Sequence, residues 1–134
     1  MNLRNKAVVV PVGLLLLAAT LAIRVERQAI PAWKVLVVDT DGNAIPHVAV
    51  NEEWMEFDRE VTHGDQQFTD EAGRVVFPAR VSSEMLIVRL FEKARPIAHA
   101  FACPDGKTGD VEWEPGMTGR GGRLVLHLGD CPFG

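Results

Sequence analysis

Trp33-Lys34-Val35-Leu36-Val37-Val38, running directly into Asp39-Thr40-Asp41-Gly42-Asn43, sets the character of the fold. The first six residues are β-branched or apolar and read as a strand. The next five are turn chemistry, since Gly, Asn and Asp tolerate positive φ. Further strands are expected on either side of similar turns. A second covers 48–54, after Pro46. Residues 52–61 fit either a helical face (Trp54, Phe57, Val61) or a bulged strand.

Gly64-Asp65 reads as another turn, and Asp70-Glu71-Ala72-Gly73 precedes a strand at 74–78 with Val75 and Phe77 on one face. Residues 85–91 read as an apolar strand buried on both faces. Large and small residues alternate over 97–103, a loop with Asp105-Gly106 and Thr108-Gly109 precedes a short strand at 111–113, and a glycine loop spans 116–122. The last strand is 123–128, with Leu124, Leu126 and Leu128 on one face and His127 turned outward. Seven short strands with no alternating helices predict an all-β, antiparallel, Ig-like or prealbumin-like sandwich.

Upstream stands a different kind of segment. Residues 7–23 are 17 residues without a charge, preceded by Arg4 and Lys6 and followed by Arg24, Glu26 and Arg27. This is one N-terminal transmembrane or signal helix: a signal-anchor, or a secretory leader with Thr20-Leu21-Ala22 as its nearest approach to a cleavage site. The basic flank favours a cytoplasmic start and an exported remainder. The expected organisation is therefore a 1–30 anchor and linker, with Gln28 to Ala32 as the link, followed by a 31–134 β-sandwich domain. The domain would stand in the periplasm or extracellular space, held to the inner membrane through residues 7–23, or be secreted if the leader is cleaved.

Setting aside Arg4, Lys6, Arg24, Arg27 and Glu26 leaves ten basic and 17 acidic residues, a net charge of −7 for the domain. Nucleic-acid phosphates demand the opposite sign, so no nucleic-acid partner is expected. The only two cysteines are Cys103 and Cys131. Outside the cytoplasm an even count points to a bridge. If 97–103, 111–113 and 123–128 run successively antiparallel, the first and third end on the same side, which brings the two cysteines together.

Two segments carry a family likeness. Val37-Val38-Asp39-Thr40-Asp41-Gly42-Asn43-Ala44-Ile45-Pro46-His47-Val48-Ala49-Val50 resembles the opening of carboxypeptidase regulatory-like domains, and Thr69-Asp70-Glu71-Ala72-Gly73-Arg74-Val75-Val76-Phe77-Pro78 resembles their second signature. Together they cover 24 residues. The resemblance implies a prealbumin-like sandwich serving as an exported adaptor, packed against enzymes, extending stalks or sitting beside transporters, without catalysis of its own. That family often has Gly at the position His47 holds here.

The chemistry-bearing residues do not form a catalytic set. Asp39, Asp41 and Asn43 have the oxygen spacing of a calcium loop, but its twelfth position is Val50, so they read as a turn. Glu52, Glu53, Glu56, Asp58 and Glu60 read as a solvated strand or turn rather than paired glycosidase carboxylates. His99 reads as a seam residue with a hydrogen-bond partner. Ser82 and Ser83 are the only serines, read as a turn, and lack a nucleophile elbow. No cofactor or metal is expected. The expected role is a non-catalytic structural or protein-interaction module with a protein partner still to be identified. The alternative is a carbohydrate- or peptide-binding module using Trp54, Phe57 and Trp113 as an aromatic platform.

Overall fold

A computed structural model describes the backbone of residues 3–56, 61–91, 96–117 and 121–132, with side chains described over 10–55, 62–91, 96–117 and 121–132. Those residues are mostly β, in ten strands forming three sheets, none of them closed into a barrel. The strand expected first is present as β2 (Trp33–Val38), and it occupies the middle of a three-stranded sheet ordered β5-β2-β9. β5 is Arg74–Phe77 and β9 is Gly122–Val125. Alternation decides what faces inward: Trp33, Val35, Val37, Val75, Phe77 and Leu124 are buried, whereas Lys34, Arg74, Val76 and Arg123 point to solvent.

β3 (Ala49–Glu56), β4 (Val61–Phe68), β7 (Ala98–Ala102), β8 (Lys107–Glu112) and β10 (His127–Leu128) form a five-stranded sheet ordered β10-β8-β7-β3-β4. Its buried residues, including Val50, Ala98, Ala100 and Ala102, join those of the three-stranded sheet in one cluster. The three alanines on β7 complement the bulk of Trp33 and Phe77, whose ring centroids lie 5.8 Å apart.

Four expectations are corrected. The pairing is not wholly antiparallel, because β2 and β9 run parallel, Val35 opposite Gly122 through Val38 opposite Val125. The last strand breaks after Val125: β9 belongs to the three-stranded sheet and β10 to the other, so Leu124 and Leu126 are buried but Leu128 is 82% exposed. Gly64 and Asp65 lie inside β4 rather than in a turn. Thr108 and Gly109 lie inside β8, where a Cβ on Gly109 would strike the Val125 carbonyl and Leu124.

The largest departure concerns the remaining elements. β1 (Arg24–Ile30) and β6 (Arg80–Met85) form a separate antiparallel ribbon, from Arg24 opposite Met85 to Ile30 opposite Arg80. The expected linker, Gln28 to Ala32, therefore begins inside a strand whose last residue, Ile30, is fully buried, and Ser82 and Ser83 are strand residues rather than a turn. α1 (Leu3–Leu21) precedes the ribbon, and a short helix, α2 (Leu86–Phe91), follows it where a doubly buried strand was expected. The reason is a missing partner. β1 begins at Arg24, so beyond Met85 no strand is available, and a helix satisfies the backbone within its own segment. α2 has no buried residue.

Candidate functional site

Alternation running from Val48 into β3 puts Val50, Glu52 and Trp54 on the inward face, so Glu52, expected in a solvated segment, is instead completely buried. A buried charge is tolerated only with partners. Glu52 has them on both oxygens: Trp33 Nε1 donates to Oε1 at 2.7 Å, and Arg80 donates to Oε2 from Nε at 2.8 Å and also from Nη2. Directly across the β3–β4 ladder from Glu52 stands Asp65, a like charge that would repel it. Arg80 resolves the conflict by also donating from Nη2 to Asp65 Oδ2 at 2.8 Å.

The next pair along the ladder is Trp54 and His63, stacked with centroids 5.2 Å apart. Arg80 lies over the Trp54 ring at 4.0 Å, a cation–π arrangement. Three side chains of one sheet face, Glu52, Asp65 and Trp54, thus converge on a single guanidinium. The hydrogen bond from Arg80 holds the Asp65 carboxyl below the ordinary aspartate value, against the opposing effect of burial. Burial pushes Arg80 down, but its hydrogen bonds to Asp65 and Glu52 outweigh that and raise it. Arg80 is the first residue of β6, so this cluster also fixes the root of the ribbon to the five-stranded sheet. Chemically it is a clamp: both oxygens of Glu52 and Oδ2 of Asp65 accept from internal donors.

At one end of the sheets, two turns are built to a common plan. Asp39 Oδ1 accepts from the amides of Asp41 and Asn43 at 2.9 and 2.8 Å, and Asp70 Oδ1 accepts from Ala72 and Arg74 at 2.9 Å each. In both, the Asp amide donates to the carbonyl four residues on, and the Gly amide returns to the Asp carbonyl. Asp39 Oδ2 accepts from Asn43 Nδ2, so the carboxylate is committed to the turn, and these bonds lower its pKa.

The turns interlock at Gly73, whose φ is +69° and whose carbonyl accepts from Val37. A Cβ there would lie 2.9 Å from Ala44 Cβ and Ile45 N. Buried Thr69 completes the join, accepting from the Val48 amide and donating to the Ile45 carbonyl, both at 2.9 Å. His47 adopts φ +58°, the left-handed region where glycine is at ease.

The expected site residues are placed as follows. Cys103 and Cys131 are bridged, with Cα atoms 5.7 Å apart. β7, β8 and β10 run successively antiparallel, so the parity argument holds for the 127–128 part of the expected last strand and not for its first half, which joins the other sheet. Trp113 is buried and Trp54 is engaged by Arg80 and His63, so these two rings make no exposed platform; Phe57 lies outside the described residues. Of the acidic residues, Glu53 is exposed beside a cleft of about 250 Å³, while Asp58, Glu60 and the Glu56 side chain lie outside the described residues.

His99 sits half-buried, 3.2 Å from Asp110 through Nε2, and His127 is exposed. Sequence reasoning missed Arg80, Asp65 and His63. The available signal was Glu52 falling on the apolar face of its strand, which requires a buried donor nearby.

Among the described residues, no group of three or more His, Cys, Asp or Glu is placed to hold a metal ion, and no helix is long and apolar enough to cross a membrane. No family model matches this chain, and no curated protein matches it.

Proposed function

We propose that this chain is a non-catalytic, membrane-anchored, exported β-sandwich of the prealbumin-like kind, serving as a structural or protein-interaction module. The observation that carries the reading is the exposure of α1. Val10, Val12 and the four consecutive leucines 14–17 are each 49–71% exposed. Four successive residues span every face of a helix, so the protein covers none of them. An apolar surface on all sides belongs in a core or in lipid, and the core of this molecule is elsewhere.

Three further features support the reading. The disulfide suits an oxidising compartment outside the cytoplasm. The paired Asp–Gly turns give a physical basis to the likeness to carboxypeptidase regulatory-like domains, including that family's glycine where His47 has positive φ. β4 and β10, the edge strands of the larger sheet, offer backbone groups to a partner chain.

The test is topology in intact cells. The full chain should stay in the membrane pellet after alkaline carbonate washing, and its β domain should be cut by protease added outside the inner membrane. The same material should run with Cys103 and Cys131 joined on a non-reducing gel. Recovery from the cytosol with both thiols free overturns the proposal.

A further inference from the structure

We infer that α2 is a second membrane contact, seated in the bilayer leaflet from which α1 emerges; this rests on the anchor reading above. α2 reads Leu86-Ile87-Val88-Arg89-Leu90-Phe91, five apolar residues in six, and none is buried. Phe91 is 80% and Leu90 63% exposed. Six residues are too few to hold a helix in water by themselves. Such a helix needs a neighbour or a solvent that penalises unpaired backbone, and lipid is that solvent.

The ribbon fixes where α2 sits. Its strands end together, Met85 opposite Arg24, so residues 86–91 begin where the chain leaves α1. The Leu86 amide donates to the Ile23 carbonyl at 2.9 Å, and α2 lies against α1. Whatever depth α1 reaches at its C-terminal end, α2 shares it.

The anchor also has a use for such a neighbour. Between Lys6 and the end of α1, the uncharged helix runs from Ala7 to Leu21, 15 residues. At 1.5 Å per residue that is about 22 Å, against a hydrocarbon thickness of roughly 30 Å. A span that short strains the bilayer, and apolar side chains at its exit relieve the mismatch. Leu90 and Phe91 provide them, while Arg89 in the last turn can extend its guanidinium back to the phosphate layer.

The test uses the full chain in phosphatidylcholine vesicles with brominated acyl chains, which quench tryptophans at acyl-chain depth. Phe91→Trp places a reporter on an exposed position, and Leu90→Trp repeats the measurement next to it. With flotation retained, the added indole should lose roughly half its emission, as expected for a ring seated at the acyl boundary, and Trp33, Trp54 and Trp113 should be unaffected. Flotation without quenching of either reporter overturns the inference and leaves the anchor standing, with α2 then facing water or another protein. Loss of flotation overturns both. An unchanged urea midpoint shows that each variant is folded.

Discussion

The body of the molecule and its arm are both rich in Leu, Val and Ile, and they orient these side chains oppositely. In the body, β2, β5 and β9 face β3 and β7, and their apolar residues close on one core. In the arm, α1 and α2 turn Val10, the leucines 14–17, Leu90 and Phe91 outward, joined to the body by a ribbon rooted in Ile30 and Arg80. Hydrophobicity therefore does not by itself specify burial within a chain; on the proposed anchor reading, the body obtains exclusion from water from its own core and the arm from lipid. The body should respond to substitutions when measured in water. The arm should respond only when lipid is present.

The largest effect is expected at the joint between them. Glu52→Ala leaves Trp33 Nε1 without its acceptor, and leaves a largely buried Arg80 with one carboxylate, Asp65, among the described residues. Removing one partner of a buried pair costs about 3–5 kcal/mol. Urea unfolding of the body should show that loss, with Glu52→Gln costing less because it keeps acceptor capacity. Hydrogen exchange should accelerate in β1 and β6 beyond the change elsewhere, since Arg80 fixes the ribbon. Equal exchange in ribbon and body would show that Arg80 is not the joint.

Next in size is the disulfide, which tests the body alone. Its cysteines are 28 positions apart, and closing a loop of that size restrains the unfolded chain by about 3.5 kcal/mol. Reduction should lower the urea midpoint of the body by a corresponding amount while membrane attachment is unaltered. A midpoint unmoved by reduction would mean that the bridge adds nothing to the native state.

How much of this was legible in the sequence follows the same division. β2 and β5 could be read because their residues alternate against a core the sequence itself supplies, and the pairing of Cys103 with Cys131 because two cysteines in an exported domain leave one possible bridge. β4 could not. Its burial alternates, with His63, Asp65 and Gln67 half-buried and Thr62, Gly64 and Gln66 exposed, but the inward side chains are polar and leave no hydrophobic period. α2 was misread because its β-branched, apolar residues suit a strand, whereas strand formation depends on a partner that ends at Arg24. The clamp was not read: Glu52 was expected in a solvated segment although it alternates with Val48, Val50 and Trp54, and its donor lies 28 residues away on a strand the sequence did not reveal.

Gly73→Ala tests the interlocked turns at a smaller scale. Positive φ alone costs a residue with a Cβ about 1–2 kcal/mol, and the close approach of Ala44 and Ile45 adds to it. Gly106, at φ +72° with open space around it, is the control: its alanine variant should pay the conformational cost without the contact. A thermal shift no larger at Gly73 than at Gly106 would show that the turns are not packed as described.

Acidity should weaken the clamp through Asp65. Its pKa is lowered in the folded protein by Arg80, so the unfolded chain takes up a proton first as pH falls. The contribution is complete above the ordinary aspartate value of 3.8 and declines below it, until the folded-state group also protonates. Urea midpoints measured at descending pH should fall more steeply for the native sequence than for Asp65→Asn. Parallel slopes would remove the pair from the account.

The smallest expected effect is the most discriminating. Leu16→Ala and Leu90→Ala delete side chains that are 65% and 63% exposed, so in detergent-free water they should move the body's urea midpoint within the scatter of surface substitutions, about 0.5 kcal/mol. The same residues should matter to vesicle flotation, where each buried methylene contributes about 0.8 kcal/mol. A core leucine behaves in reverse: Leu124→Ala should cost about 2–5 kcal/mol in water and leave flotation untouched. If Leu16→Ala destabilises the body as Leu124→Ala does, then α1 packs on protein after all, and arm and body share one core.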